Sequence, residues 1–448
     1  MMSRIRLWLD TLRTSLWFVP TLIVLASVVL AHGLLALDAS LPADWWKTLP
    51  GLGGLRDVRI NGAVTMLQMI GGSMITIAGV VFSITIAAIT LAAGQYTSRV
   101  LRNFIRDRAN QAVLGAFLGI FVFCVLVMRS VSTGSMSGQA PPLTMLMALV
   151  LAFLGIGLLI FFIHHIVLSL QAASVVAAIA RDALPSIDRH FPERFAPVDE
   201  DEKDVRWPEG AVPTMVHALR SGYVTGIDVA ALTDSAVACD GLVHVRRAAG
   251  MFVAEGEVLA ELHGPNPVDE AVIRSMQGAW SYANQRTLAN DPGYGVRQLV
   301  DVALMALSPG INQTTTCVMC VNWLGVMLLR MSERRFPPRW HAHENVVRVV
   351  TNAYGIAEFI DQAFNQIRQQ ANGNLAVLKR MLEVLLALAE SEGKRVVRQP
   401  ILLQADAIED QVRRKIAWPP DRTVLESLLT DIRRRLGIDR SAHAASDR

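Results

Sequence analysis

Residues 64–95 carry no charged side chain, and the stretch exceeds the ~20 apolar residues a helix needs to cross a hydrocarbon core. Three further stretches of this character, 16–36, 112–128 and 143–168, fall with it inside the first 170 residues. The spacing predicts an α-helical polytopic membrane domain over 1–170, with four transmembrane helices. The first stretch follows Arg4, Arg6 and Arg13. It outruns the ~7–15 apolar residues of a signal peptide, so it reads as a retained anchor.

Positive charge near the span ends sets the orientation. The amino end and the loop after the second span (Arg99, Arg102, Arg106 and Arg108) are basic, whereas Ser130–Pro142 is uncharged. Both termini are therefore expected in the cytoplasm, with Trp45 and Trp46 of the first external loop at headgroup level. A net charge of +3 gives no reason to expect nucleic acid as a partner. Four scattered cysteines do not make a disulfide framework.

Read at helical spacing, the second span presents one row of small residues: Gly72, Thr76, Gly79, Ser83, Ala87, Thr90, Gly94 and Thr97. Steps of four and three keep the row on one face. Small residues let helix backbones approach, so the row reads as a packing seam, against another span or a second copy of the chain. In a ring of identical subunits the same row would present hydroxyls to a permeating ion. Arg99, Arg102 and Arg106 continue on one helical face, as contacts to anionic lipid headgroups or as a basic pore mouth favouring anions. No Asp, Glu or Lys lies inside the four stretches, which argues against a pump coupled to protons or cations.

The rest of the chain divides by pattern. A helical extension covers 171–195, an acidic Pro-flanked linker 196–213, and a small β module 214–264, where short apolar alternations are punctuated by Gly. Helical periodicity returns over 265–437, in segments 268–290, 295–307, 313–330, 343–371, 374–392, 400–416 and 421–436. A disordered tail is expected at 438–448.

Several motifs together carry a resemblance. "GGSMITIAGVVFSITIAAITLAAGQYTSRVLRNFIRD", "LGAFLGIFVFCVLVMRSV", "FFIHHIVLSLQ", "SGYVTGID", "GVRQLVDVALMALSPGIN" and the spaced Gly250, Phe252, Val253 and Gly256 resemble the bacterial membrane proteins grouped as domain of unknown function 2254. The resemblance implies a multipass protein of the bacterial inner membrane and assigns no chemistry. Two positions depart from the family pattern: Ser98 stands where Pro is usual, and Gln313-Thr314 where Asp-Pro is usual.

Candidate chemistry is sparse. His164 and His165 close the fourth span; neighbours on a helix diverge by ~100°, so interface anchoring, a hydrogen bond to another helix or pH sensing are the open readings. Cys317 and Cys320 read as core packing. In the turn Ser308-Pro309-Gly310-Ile311-Asn312, Asn312 is expected to cap the next helix through its side chain, and the turn is a candidate for a small anionic ligand. "GMFVAEGEVLAEL" resembles the small β-barrels of lipoyl and biotinyl carriers, but no Lys occurs in 214–264, which excludes covalent attachment there. No cofactor, metal site or enzyme chemistry is expected. The expected function is a homo-oligomeric passive channel gated by its cytosolic domain, or a non-conducting scaffold or sensor.

Overall fold

The computed structural model describes residues 17–40, 60–95, 107–132, 140–193, 213–265, 268–286, 288, 291–352, 355–391 and 394–438. Trp45, Trp46, Thr97, Arg99, Arg102, Arg106, nearly all of the acidic linker and nearly all of the C-terminal tail lie outside these residues. The chain forms two compact units, Met1–Ser174 and Val175–Arg448.

The first unit contains α1 (Phe18–Ser40), α2 (Ile60–Gln95), α3 (Arg108–Ser132) and α4 (Pro142–Ser169). Helix α3 is the hub and packs against the other three. Its sequence fits that role, because Gly115 and Gly119 bring α1 into backbone contact. A Cβ at Gly115 would stand 2.8 Å from Pro20 Cα, and one at Gly119 would collide with Ser27 Oγ. The core joins Phe117, Phe123, Val127, Phe162, Met145 and Leu67. The remaining faces of α1, α2 and α4 are apolar and exposed, with Val29, Phe82 and Phe153 among them. Bare apolar faces on long helices are those of a multi-pass membrane protein, where lipid covers what water would not.

The second unit begins with α5 (Ala172–His190) and continues through β1 (Thr214–His217), β2 (Gly222–Ile227), α6 (Val229–Ala238), β3 (Leu242–Val245), β4 (Phe252–Val253) and β5 (Val258–His263). Next come α7 (Glu270–Gly278), β6 (Trp280–Ala283), α8 (Gly293–Ala306), α9 (Thr314–Ser332), β7 (Trp340–His343) and β8 (Val346–Thr351). Four helices close the chain: α10 (Ile356–Ala371), α11 (Leu375–Glu390), α12 (Lys394–Lys415) and α13 (Pro419–Arg435).

The strands form no closed barrel, contrary to the carrier-like expectation. They make a five-stranded sheet, β1-β5-β3-β8-β7, and a three-stranded sheet, β4-β2-β6. Strands β3 and β8 pair in parallel, Val243 opposite Val349, and the other pairs are antiparallel. Two of the eight strands, β6 and β8, lie in segments expected to be helical. Helix α7 stops at Gly278, and Trp280–Ala283 pairs with β2 instead. Residues 340–351 form a hairpin turning at Glu344 and Asn345, both at positive φ (48° and 65°). The β-branched run Val346–Thr351 favours that outcome, and Val349 enters the sheet core.

Helix α9 is also long and apolar enough to cross a bilayer, so five helices meet that criterion among the described residues. Its flanks are packed by α8 and α11, with Cys317, Cys320, Leu324 and Leu328 fully buried. Gly325 permits the approach: a Cβ there would lie 2.8 Å from Val384 Cγ2 of α11. Burial inside the second unit is thus a physical reason for its apolarity that needs no membrane.

Candidate functional site

Helix α2 has one face of mixed sizes that the chain buries and one of uniformly small residues that it leaves bare. Ala63, Leu67, Gly71, Met74, Ala78, Val81, Ala88 and Ala92 are buried; α2 packs against α3 and α4. Gly71 fits beneath Cys124 of α3, and Met74 lies against Gly155 of α4. Gly72, Thr76, Gly79, Ser83, Ala87, Thr90 and Gly94 are all exposed. A Cβ built at Gly72, Gly79 or Gly94 would meet nothing within 4 Å. The predicted row is therefore continuous and unused by its own chain, as far as the described residues reach.

The hydroxyls of that row are already satisfied within the helix. Thr76 donates to the Gly72 carbonyl at 2.9 Å, Ser83 to Gly79 at 2.9 Å and Thr90 to Ile86 at 3.0 Å. A back-bonded hydroxyl costs little in lipid and retains lone pairs that can still accept.

Two carboxylates that sequence reasoning passed over tie the ends of the bundle. Helix α1 runs four residues beyond the expected span, so its last turn contains Asp38, which is only 8% exposed. Asp38 accepts from the backbone N–H of Leu143 (3.1 Å) and Thr144 (2.8 Å) and from the Thr144 hydroxyl (2.6 Å). It does for α4 what a cap does, since Pro141 at the N-cap offers no side-chain acceptor. The acid in the helix is thus a structural clamp.

Asp107 precedes α3, accepts from the Ala109 N–H at 2.9 Å, and lies 2.6 Å from His165 Nε2 of α4. The Phe161 ring stacks on His165 at 5.5 Å. His164 points away and is exposed, so the two histidines do not converge. The missed signal was an Asp immediately before an apolar helix, the usual N-cap position.

The turn after α8 is held by local bonds. Ser308 donates to the Met305 carbonyl at 2.7 Å, and Gly310 is exposed with open space around it. Asn312 does not cap α9 as expected. It takes a left-handed conformation (φ 45°), and Gln313 stands at the N-cap, where its Oε1 accepts from the Thr316 hydroxyl at 3.1 Å and from no backbone N–H of the helix. Asn is one of the few residues that adopts this conformation cheaply.

The second unit holds the sharper chemistry. Arg286 and Asp291 form a part-buried pair at 2.5 Å, pressed against the Gly250 turn, where φ is +86° and a Cβ would sit 2.7 Å from Asp291 Oδ2. On the five-stranded sheet, Glu261 stands between His244 (3.7 Å) and His263 (3.4 Å) and pairs with Arg246 at 2.9 Å. The side-chain bond from Arg246 holds the Glu261 carboxyl below its ordinary range, while burial and then Arg246 push the His244 imidazole down. No group of three or more potential ligands suited to a metal ion occurs among the described residues.

Comparison with known proteins agrees with this membrane architecture. The uncharacterized proteins Mb1321c of Mycobacterium bovis and Rv1290c of Mycobacterium tuberculosis are each 27% identical over 437 residues, covering 95% of this chain and 81% of the relative. No solved structure matches the chain. The model of the predicted membrane proteins called DUF2254 matches residues 13–387, and the chain belongs to that family.

Proposed function

We propose that the protein is a four-span homo-oligomer of the bacterial inner membrane, with both termini and the second unit in the cytoplasm. Copies meet around the exposed row of α2, which lines a passive pathway for small ions. The observation that carries this reading is the row itself: seven described positions, uniformly small, all exposed, with open space over Gly72, Gly79 and Gly94. A lipid-facing helix has no need of such a row, whereas close approach between copies does. Anions are the favoured permeant species because Arg99, Arg102 and Arg106 follow the row and would gather them at the cytoplasmic mouth. The same arginines suit contact with anionic headgroups. The second unit then serves as the gate.

A second reading rests on one observation. Each described hydroxyl of the row bonds its own helix backbone, so the row is equally comfortable in a dry seam. The protein would then be a non-conducting scaffold or sensor whose second unit binds a partner or ligand.

Cysteine accessibility separates the two. With Cys124, Cys239, Cys317 and Cys320 replaced, single cysteines go at Ser83, Thr90 and Val81, and membranes are treated with a charged thiol reagent. A water-lined row labels at 83 and 90 and not at Val81, which is 1% exposed against its own chain. Protection at all three positions, under conditions that open and close any gate, overturns the pathway in favour of the seam.

A further inference from the structure

Strand ends, the residues just before α8, and α10 line a half-open cavity of about 260 Å³ in the second unit. It lies at the carboxyl ends of the parallel pair, where Val245 ends β3 and Thr351 ends β8. Ligands in sheets with parallel strands collect at such ends, because the chain diverges there into loops and helix starts. Two phenylalanines line it, Phe191 and Phe359, with rings 6.2 Å apart, and Phe336 packs against both at 4.5 Å and 6.0 Å. Ile227 and Ala248 add to a mainly apolar lining, to which His190, Asp291 and Asn352 contribute the polar groups.

A second cavity of about 300 Å³ shares Asp291 and Phe359 with the first and has the opposite character. Its walls include Arg286, Arg297, Gln362 and the first residue of α8, Gly293. Among these, two arginines face one carboxylate, Asp291. Asp301, which pairs with Arg297 at 2.9 Å, sits one turn further along α8 and is not part of the wall. Helix α8 begins without a side-chain cap, so its positive end adds to the same side.

We infer that these adjoining cavities form one binding site for a small amphipathic anion, with a compact apolar body against the phenylalanines and a single carboxylate or phosphate toward Arg286 and Arg297. The inference does not depend on how α2 assembles. The site also accounts for a motif: Gly250 must lack a Cβ because Asp291 occupies that space, which ties the strand module to the start of α8.

The test uses the full chain in nanodiscs of uncharged phosphatidylcholine, with ligand-observed NMR corrected for empty nanodiscs. Benzoate, phenyl phosphate, benzyl alcohol and benzylamine are matched probes that differ in the polar end. Benzoate and phenyl phosphate are expected to bind, and benzylamine at least tenfold more weakly, as a charge-assisted contact of about 1.4 kcal/mol implies. Arg297→Gln should weaken the anions about tenfold and leave benzyl alcohol unchanged. Ala249→Phe, at a half-buried lining position, should weaken all of the probes.

Equal binding of benzylamine, or unchanged binding by a folded Ala249→Phe protein, overturns the assignment. Hydrogen exchange on the unaltered protein gives an independent readout. Benzoate must slow exchange around Val245, Pro292 and Phe359, and protection confined to other segments overturns it as well.

Discussion

The two glycine faces of the membrane unit make opposite demands on a single added methyl group. At Gly119 a Cβ would collide with Ser27 Oγ and lie 3.4 Å from Ile23 Cγ2. Ser27 has limited freedom to yield, since its hydroxyl bonds the Ile23 carbonyl at 3.0 Å. Gly119→Ala gains up to ~1 kcal/mol of helix propensity. It loses ~1–3 kcal/mol to overpacking, so with the full propensity gain the net destabilisation is ~0–2 kcal/mol. At Gly79 the same methyl meets nothing within 4 Å, so Gly79→Ala keeps its propensity gain and should not lower stability. Gly79→Ile goes further and pushes a branched side chain into the space a second copy would occupy. It should cut self-association at least tenfold, about 1.4 kcal/mol, with the single chain intact. The assay pairs thermal melting of the helical signal in detergent with energy transfer between labelled copies in liposomes. Gly79→Ala melting as early as Gly119→Ala would refute the claim that this face is free within the chain. Undiminished energy transfer in Gly79→Ile would refute self-association through the row.

Other perturbations test the clamps and the second unit. Asp38→Ala removes three acceptor contacts from the start of α4 and should cost ~1–3 kcal/mol, only part of it recovered in Asp38→Asn, whose amide keeps one acceptor oxygen and turns an NH2 toward the other N–H; thermal melting decides, and an unchanged midpoint in Asp38→Ala rejects the cap. His165→Leu should destabilise by ~1 kcal/mol through Asp107, while His164→Leu stays neutral, and equal effects would contradict the asymmetry of the pair. Burial pushes the imidazoles of His244 and His341 below the ordinary range. The unfolded chain therefore takes up their protons first: their stability contribution is complete above the unfolded pKa of ~6.5 and is lost as pH falls through the lower folded values. Melting of the second unit should drop between pH 7.5 and pH 5, by less in His341→Gln, and a flat profile would show that these rings do not titrate on unfolding.

Local features were legible where local physics decides them. The apolar stretches over 64–95 and 143–168 correspond to α2 and α4, and the breaks at Pro292 and Asn374 mark helix starts. Asn374 caps α11 by accepting from the Val377 N–H. The errors share a cause. Trp280–Ala283 and Val346–Thr351 have patterns short enough to serve either helix or strand, and what chose strand was a partner far away in sequence: β2 for the first, β3 for the second. The expected Asn312 cap failed for a related reason, since Asn serves an N-cap and a left-handed turn position equally well and the path of the chain into α9 chose the second. The cavity near Arg286 was invisible because its walls come from residues between 190 and 362.

By itself the sequence determined that this is a multi-pass membrane protein, because transfer of a long uncharged helix into lipid depends on composition and length and not on neighbours. It also determined that α2 has a small-residue row. Only the tertiary structure decided that the row stays bare. Both faces carry small residues, Ala63, Ala78, Ala88 and Ala92 on one and Gly72, Gly79 and Gly94 on the other, and α2 alone does not say which of them its neighbours will cover. The choice belongs to α3 and α4, whose shape accepts the first face and leaves the second open. Packing is a property of pairs of surfaces, and one helix contains only half of it.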